Sequence, residues 1–409
     1  MGLLVKLSWR NLWRNKRRTI VTIAAVTFAS AVFMFTRGMQ YGTYEVNIQA
    51  ITHLFSGPLQ IQHRQYQENP TLYNSFVFSD SLLKAVLQIP GVQAVTPRLY
   101  SEGLIAFNHN SLGASLIAID PRREASVTTL FQKIKQGRFL KEGKRWELVV
   151  GETLMKNLHV QVGDSVVILT QGFDGSMGNM KFKIVGAIRT GAREMDQFGV
   201  LLTLPDAWEL LTMGNRIHAL VVDVKDLQKL DEVQKAFQMK FKGTTLVALT
   251  WETLLPELKQ GIQLDNVSGL LFLILLVIVV AFGILNTILM SVTERFREFG
   301  IMLSLGMRNA HLSLVVLWEG IFLTTIGLTL GVTLAGIVNY YFQIHPIVFG
   351  GELAKLSEEY GFLPVLSNTV EPRVWIQTIV AILSISLLAL IYPLLKVLHL
   401  EPLKGIRYT

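Results

Sequence analysis

Residues 266–307 read NVSGLLFLILLVIVVAFGILNTILMSVTERFREFGIMLSLGM. The first part, 266–293, holds no charged side chain, and 270–280 is built only from Leu, Ile, Val and Phe. An uncharged apolar run of this length is a membrane-crossing helix rather than a buried core helix. The segment after it, 294–307, is different in kind: alternating charges, then an apolar patch, then Gly306.

Three further runs join it. Residues 19–36 form eighteen uncharged positions, about 27 Å of helix. A cleaved leader competes with that reading, but Arg37-Gly38-Met39-Gln40 offers no small-residue cleavage site, so an uncleaved anchor over 19–40 is expected. The third span, 312–342, is interrupted by Glu319, and the fourth covers 374–396. The bulk composition agrees: 50% hydrophobic, 17% charged and a mean hydropathy of +0.40, against roughly 25% charged for an ordinary globular chain. With no cysteine, disulfide scaffolds, thiol catalysis and iron–sulfur clusters are excluded.

The net charge of +8 is not spread evenly. Residues 1–18, 294–311 and 396–409 hold twelve Lys/Arg against Glu294, Glu298 and Glu401, while the rest of the chain is close to neutral. Each basic segment adjoins an apolar run, which is the positive-inside pattern and not a nucleic-acid patch. Both termini (1–18 and 397–409) and the loop 294–311 are therefore expected in the cytoplasm. Residues 41–263 and the short loop 343–373, where Lys355 and Arg373 face Glu352, Glu358, Glu359 and Glu371, are expected outside.

The large external segment reads as mixed α/β. Strand 59–63, a helix opened by Ser79 and stopped near Pro90-Gly91, and an extended 92–107 make one unit. Strand 217–224, helix 227–241 and strand 245–249 repeat it. The expectation is a split ferredoxin-like plait (41–108 and 206–263) carrying a β-rich insertion at 109–205. Within the insertion, 172–178 is a glycine-rich hairpin tip and not a phosphate cradle, because a strand comes after it.

Chemistry is sparse. There is no P-loop, no H-E-x-x-H and no nucleophile elbow, and the eight histidines are dispersed, so no catalytic or metal site is expected. Glu319 is the acid inside a span. It snorkels, caps a neighbouring helix or pairs with a basic group across a subunit interface, or else it gates. Asn286 and Asn339 read as helix–helix hydrogen-bond glue rather than a substrate path, and Asn286, like Glu319, is a candidate for an intramembrane gate or interface. The arm 1–18 is amphipathic, with Val5, Trp9, Leu12 and Trp13 opposite Arg10, Arg14 and Arg17, as suits a membrane-surface helix.

These segments also resemble a family. Trp9-Arg10-Asn11-Leu12-Trp13-Arg14-Asn15, the loop from Glu294 to Gly306, and Tyr392-Pro393 with Leu400 to Arg407 are similar to the opening, loop and ending of MacB-like (type VII) ABC transporter permeases of the FtsX-like superfamily. Gly151-Glu152, Val162-Gly163-Asp164 and Phe182 to Gly186 resemble their external domain. The resemblance implies a non-enzymatic permease that pairs with a second permease chain, the same or related, and with a cytoplasmic ABC ATPase that binds ATP and Mg. In that scheme Glu294, Arg295, Arg297 and Glu298 make polar contacts to the ATPase, while Leu303, Leu305, Gly306 and Met307 fill its groove. Closure of the spans is relayed to the periplasmic porter and its insertion. The absence of a P-loop favours the Lol lipoprotein-releasing permeases of the bacterial inner membrane, with lipoprotein cargo and a periplasmic acceptor. Tripartite-type export of a drug, peptide or toxin, and a non-transport receptor, are the alternatives.

Overall fold

The computed structural model describes residues 2–354 and 363–400, the side chain of Arg373 excepted. Glu401 and the tail to Arg407, with Lys355, Glu358 and Glu359, lie outside the described residues. The chain divides into two units: Met1–Glu45 with Gly261–Val348 and Val365–Thr409, and Val46–Gln260 with Phe349–Pro364. It passes between them inside two helices, Lys16–Ile51 and Pro256–Glu294.

The first unit is helical. Its four long helices, Lys16–Ile51, Pro256–Glu294, Asn309–Ile344 and Pro372–Leu398, are long and apolar enough to cross a membrane. They overrun the hydropathy-defined spans because helix geometry continues through polar residues that hydropathy rejects, such as Arg37, Tyr41 and Glu45 on the first. The first and third approach closely. A Cβ at Gly331 would overlap Ser30 Oγ, and Thr27 Oγ1 donates to Gly327 O at 3.1 Å. Small residues at the crossing let the backbones touch, the packing device available where apolar solvent gives no hydrophobic drive. Asn339, fully buried on the third helix, donates from Nδ2 to Met34 O at 3.2 Å, a bridge of the expected kind.

The second unit is built on one ten-stranded sheet. Its strands are β1 (Leu59–His63), β3 (Val92–Phe107), β4 (Asn110–Ile119), β5 (Ile134–Gly137), β6 (Glu147–Gly151), β7 (Ser165–Gln171), β8 (Met177–Ile188), β9 (Gly199–Thr203), β11 (Ala219–Val224) and β12 (Leu246–Thr250). The short β2 (Phe76–Val77) and β10 (Arg216–Ile217) pair separately. At one end the order β12-β1-β11-β3 is antiparallel throughout. Helices Asp80–Leu87 and Leu230–Lys240 cross one face, so this part is the split plait. Ser79 Oγ caps the first helix by accepting from Leu82 N–H, and Leu83, Val86, Val233 and Phe237 share a core with Leu59, Ile61, Leu220 and Val222.

The insertion is more than β-rich. β3 pairs β4, β4 pairs β9, β9 pairs β6, β6 pairs β8, β8 pairs β7, and β7 returns to β3. The six strands close a barrel. The plait and the barrel share β3, so a boundary at 108/109 cuts a continuous hairpin. Alternation along the strands explains the closure. Leu148 and Val150, Leu116 and Ala118, Val200 and Leu202, and Ile184 with Phe182 point to one core. Val149, Ile117, Ile119, Leu201 and Val185 point to another, outside the barrel.

Where plait meets barrel, β3 carries buried polar chemistry. Arg98, with no exposed surface, pairs with the buried Glu124, and the ring of Phe55 lies 4.5 Å beneath its guanidinium. On the same strand the Tyr100 N–H donates to His218 Nδ1 at 3.0 Å, and Tyr66 stacks on the imidazole at 4.8 Å. Nε2 lies near the carbonyls of Leu72 and Thr71 without a full hydrogen bond to either. Burial pushes His218 down to about 4 from its usual 6.5. A depressed imidazole contributes stability above pH 6.5 and withdraws it as pH falls toward 4, since the unfolded chain takes up the proton first. Hydrogen exchange at β3 and β11 in the detergent-solubilised full chain should therefore report a loss of about 2 kcal/mol between pH 7 and pH 5. His218→Gln should flatten that dependence.

Candidate functional site: the end of the membrane unit that carries the basic segments

The loop after the second long helix folds as a helix of its own. Pro256–Glu294 ends at Arg295, Phe296–Ser304 comes next, and Gly306 stops it at φ +93°. Met307 N–H donates to Met302 O and Gly306 N–H to Leu303 O, both at 3.0 Å. That is a Schellman cap, with Gly306 at the one position that requires a left-handed residue.

This connecting helix has a locked face and an open face. Phe296, Phe299 and Leu303 are buried in a cluster with Leu12, Ile288, Val292, Leu312 and Val316. Arg295 is also buried: Nη1 donates to Glu319 Oε1 at 2.8 Å, Nε lies 3.3 Å from Glu298 Oε2, and the guanidinium sits 4.9 Å over Phe299. Glu319 is 3% exposed, so both charges are out of water. Arg297, Ile301 and Leu305 point outward, Leu305 at 83% exposure.

Two expectations are thereby corrected. Arg295 and Leu303 do not belong to an outward contact surface. This chain's own core takes Phe296, Phe299 and Leu303, and only Ile301 and Leu305 of the helix's apolar residues stay outside it. Glu319 does not reach toward an interface, because its cationic partner is supplied from within the chain. Met307 is half-turned, packing against the same cluster. Asn286 is not drawn into the network and stays exposed on the second long helix.

The arm closes the network from the other side. Arg14 Nη1 donates to both Glu298 oxygens at 2.8 and 3.0 Å, and Arg18 Nη1 to Glu294 Oε1 at 3.1 Å. Burial works to raise the Glu298 carboxyl, but Arg14 and Arg295 outweigh it and hold it below the usual carboxylate range. Helix Gly2–Leu12 packs on the third long helix, Ser8 Oγ donating to Val315 O at 3.0 Å and Trp9 meeting Phe322 edge-on at 5.4 Å. The result is a chain of alternating charge, Arg14–Glu298–Arg295–Glu319. The arm–loop pairings escape sequence reasoning because no periodicity links residues so far apart. The one visible signal is complementary charge, Arg14 and Arg18 in the arm against Glu294 and Glu298 in the loop. No group of three or more metal-ligating side chains gathers among the described residues.

Removing one member of the buried pair should be costly. Glu319→Gln leaves Arg295 charged and buried, an expected loss of about 3–5 kcal/mol in the thermal unfolding of the purified chain. The double change Arg295→Met with Glu319→Leu should recover most of it.

The comparisons with known proteins fall on both units. A family model for the MacB-like periplasmic core domain matches residues 19–240, and one for the FtsX-like permease C-terminal domain matches residues 270–402. The chain is 25% identical over 330 residues to the lipoprotein-releasing system transmembrane protein LolC of Xylella fastidiosa, covering 78% of each chain. It is 22% identical to an uncharacterized ABC transporter permease of Methanocaldococcus jannaschii, covering 82% of this chain and 84% of the other. A macrolide export ATP-binding/permease protein MacB of Wolinella succinogenes is 21% identical, covering 88% of this chain and 58% of that one.

Proposed function

The chain belongs to the family that joins a MacB-like periplasmic core to an FtsX-like permease domain, and from that premise we infer how it works as an ABC transporter permease of the Lol/MacB type. A separate ATPase subunit binds ATP and Mg and docks on the connecting helix Phe296–Ser304. The observation that carries this is the division of that helix. One side is fixed by the Arg295–Glu319 pair and a buried cluster, while Arg297, Ile301 and Leu305 are left bare. An apolar tip of this kind on a rigid support is what a partner's pocket takes as an anchor. Glu294, Arg297 and Glu298 supply its polar rim, and Gly306 sets the angle at which Leu305 is presented.

The basic end of the membrane unit then faces the cytoplasm, and the plait and barrel lie in the periplasm. Hydrolysis drives two such permease chains, identical or related, against each other, and the unbroken helices Lys16–Ile51 and Pro256–Glu294 carry that motion outward. Lipoproteins of the outer leaflet of the inner membrane are the proposed cargo, handed to a periplasmic acceptor. The lipoprotein-releasing relatives support this. A second reading, export of a small molecule or peptide, draws on the macrolide-export relative, which matches a larger share of this chain.

Affinity purification from native membranes in mild detergent should retain a small P-loop ATPase in near-equal amount. Leu305→Asp should reduce that recovery at least tenfold and abolish stimulated hydrolysis, with insertion of the chain unchanged. Wild-type stimulation in the Leu305→Asp complex, or a chain that purifies alone, sinks the reading. A lipid-anchored protein recovered in the wild-type complex, and released on adding ATP, selects lipoprotein cargo over export.

A further inference from the structure

A groove of about 360 Å³ opens between the start of the first long helix and the second, lined by Asn15, Arg17, Arg18, Val21, Asn286 and Met290 among others. Its floor is fixed by a hydrogen bond between Thr22 Oγ1 and Thr287 Oγ1 at 2.7 Å. The lining is graded along the helix axis. Asn15, Arg17 and Arg18 form the rim. Thr22 is one turn, about 6 Å, further in. Its bond to Thr287 sets the neighbouring Asn286 at that deeper level. Val21, 62% exposed, and Met290, 52%, flank the passage between the rim and the amide, and exposed apolar surface continues beyond Asn286 with Phe282 at 66% and Val279 at 60%.

Three features of this groove ask for the same occupant. The first is charge. Arg18 is held in place by Glu294 at 3.1 Å, Arg17 is exposed without an ion pair among the described residues, and no acid precedes Glu45 in the chain. The second is Asn286, an exposed amide on a stripe that otherwise runs Val279, Phe282 and Met290. In a bilayer an amide facing hydrocarbon is costly unless something accepts from it. The third is the placement of these groups: cations at the rim, the amide about a turn deeper with Val21 and Met290 between them, and Phe282 and Val279 beyond it. It matches the order of phosphate, ester carbonyls and acyl chains in a glycerophospholipid.

We propose that this groove binds an anionic diacylglycerophospholipid, its phosphate between Arg17 and Arg18 and an ester carbonyl accepting from Asn286. The site is a built feature of the membrane unit and does not depend on cargo or on the docked ATPase.

The test uses the full chain in mild detergent, offered equal amounts of phosphatidylglycerol and phosphatidylethanolamine and read by native mass spectrometry. Phosphatidylglycerol should be retained at least fivefold in preference. Arg17→Gln with Asn286→Leu should bring the ratio near one, and Arg17→Gln alone should lower it. Arg10→Gln, which removes an exposed arm charge outside the groove, should leave the ratio unchanged. Parity in the wild type, or a preference that survives the double variant, overturns the proposal. So does displacement of the lipid by millimolar inorganic phosphate, which assigns the groove to a free anion. Asn286→Cys introduces a lone thiol into a cysteine-free chain. High-yield disulfide formation between copies in membranes would give the groove to a second copy and overturn the proposal equally.

Discussion

The membrane unit is organised around a charge pair that water does not reach. Arg295 and Glu319 lie 2.8 Å apart with both side chains buried. Desolvating either ion alone costs several kcal/mol, so the arrangement persists only because each satisfies the other, with Glu298 as a second acceptor and the Phe299 ring against the guanidinium. The consequence is positional. With Arg295 pinned to the third long helix, Phe296, Phe299 and Leu303 must face inward, and the outward side of the connecting helix is decided before any partner arrives. Arg14 then ties the arm to the same Glu298, so arm, loop and third helix share one electrostatic register.

The external unit uses a different device for a similar end. A plait and a barrel would ordinarily be two bodies joined by a linker, free to tilt. Here β3 belongs to both, pairing β11 on the plait side and β4 and β7 on the barrel side. Backbone hydrogen bonds along one sixteen-residue strand therefore couple the two cores. Arg98 on that strand pairs with Glu124 of helix Pro121–Val127, whose carboxylate also accepts from Thr96 Oγ1 at 3.3 Å and Thr128 Oγ1 at 2.6 Å. No linker separates plait from barrel, because one strand runs through both.

Much of this was legible in the sequence, and the part that was not has a physical pattern. The four apolar runs, the split plait, the Ser79 cap and the Gly306 stop are local signals: hydropathy, period and turn chemistry read over a few residues. Closure of the barrel is not local. Strands 92–107, 165–171 and 177–188 look the same whether they form an open sheet or a ring, and only the β3–β7 pairing decides. The same holds for side-chain direction on the connecting helix. The run from Ile301 to Met307 reads as one apolar patch. The structure splits it, Leu303 inward and Leu305 outward, because helix period and the Arg295 anchor sort neighbouring residues to opposite sides. Glu319 was visible as an anomaly within its span, but its partner lies twenty-four positions earlier in the chain, beyond any periodic argument.

The first two long helices are clasped at both ends, and between the clasps both contribute to one buried apolar cluster, Ile23, Val26 and Ala29 with Val280, Ile284 and Ile288. At one end Arg18 holds Glu294. Toward the other, Arg37 donates to Gln40 Oε1 at 2.6 Å and to Tyr41 Oη at 3.0 Å. Gln40 Nε2 reaches Asp265 Oδ2 at 2.8 Å, and Tyr44 Oη donates to that same carboxylate oxygen. Between the clasps the only polar bridge among the described residues is Thr22–Thr287, and Leu271, Leu275 and Val279 stand exposed. Two helices fixed at both ends cannot slide past one another without breaking several charged or hydrogen-bonded contacts at once. A helix pair tied at both ends in this way suits the proposed relay of motion between the membrane and the periplasmic domain.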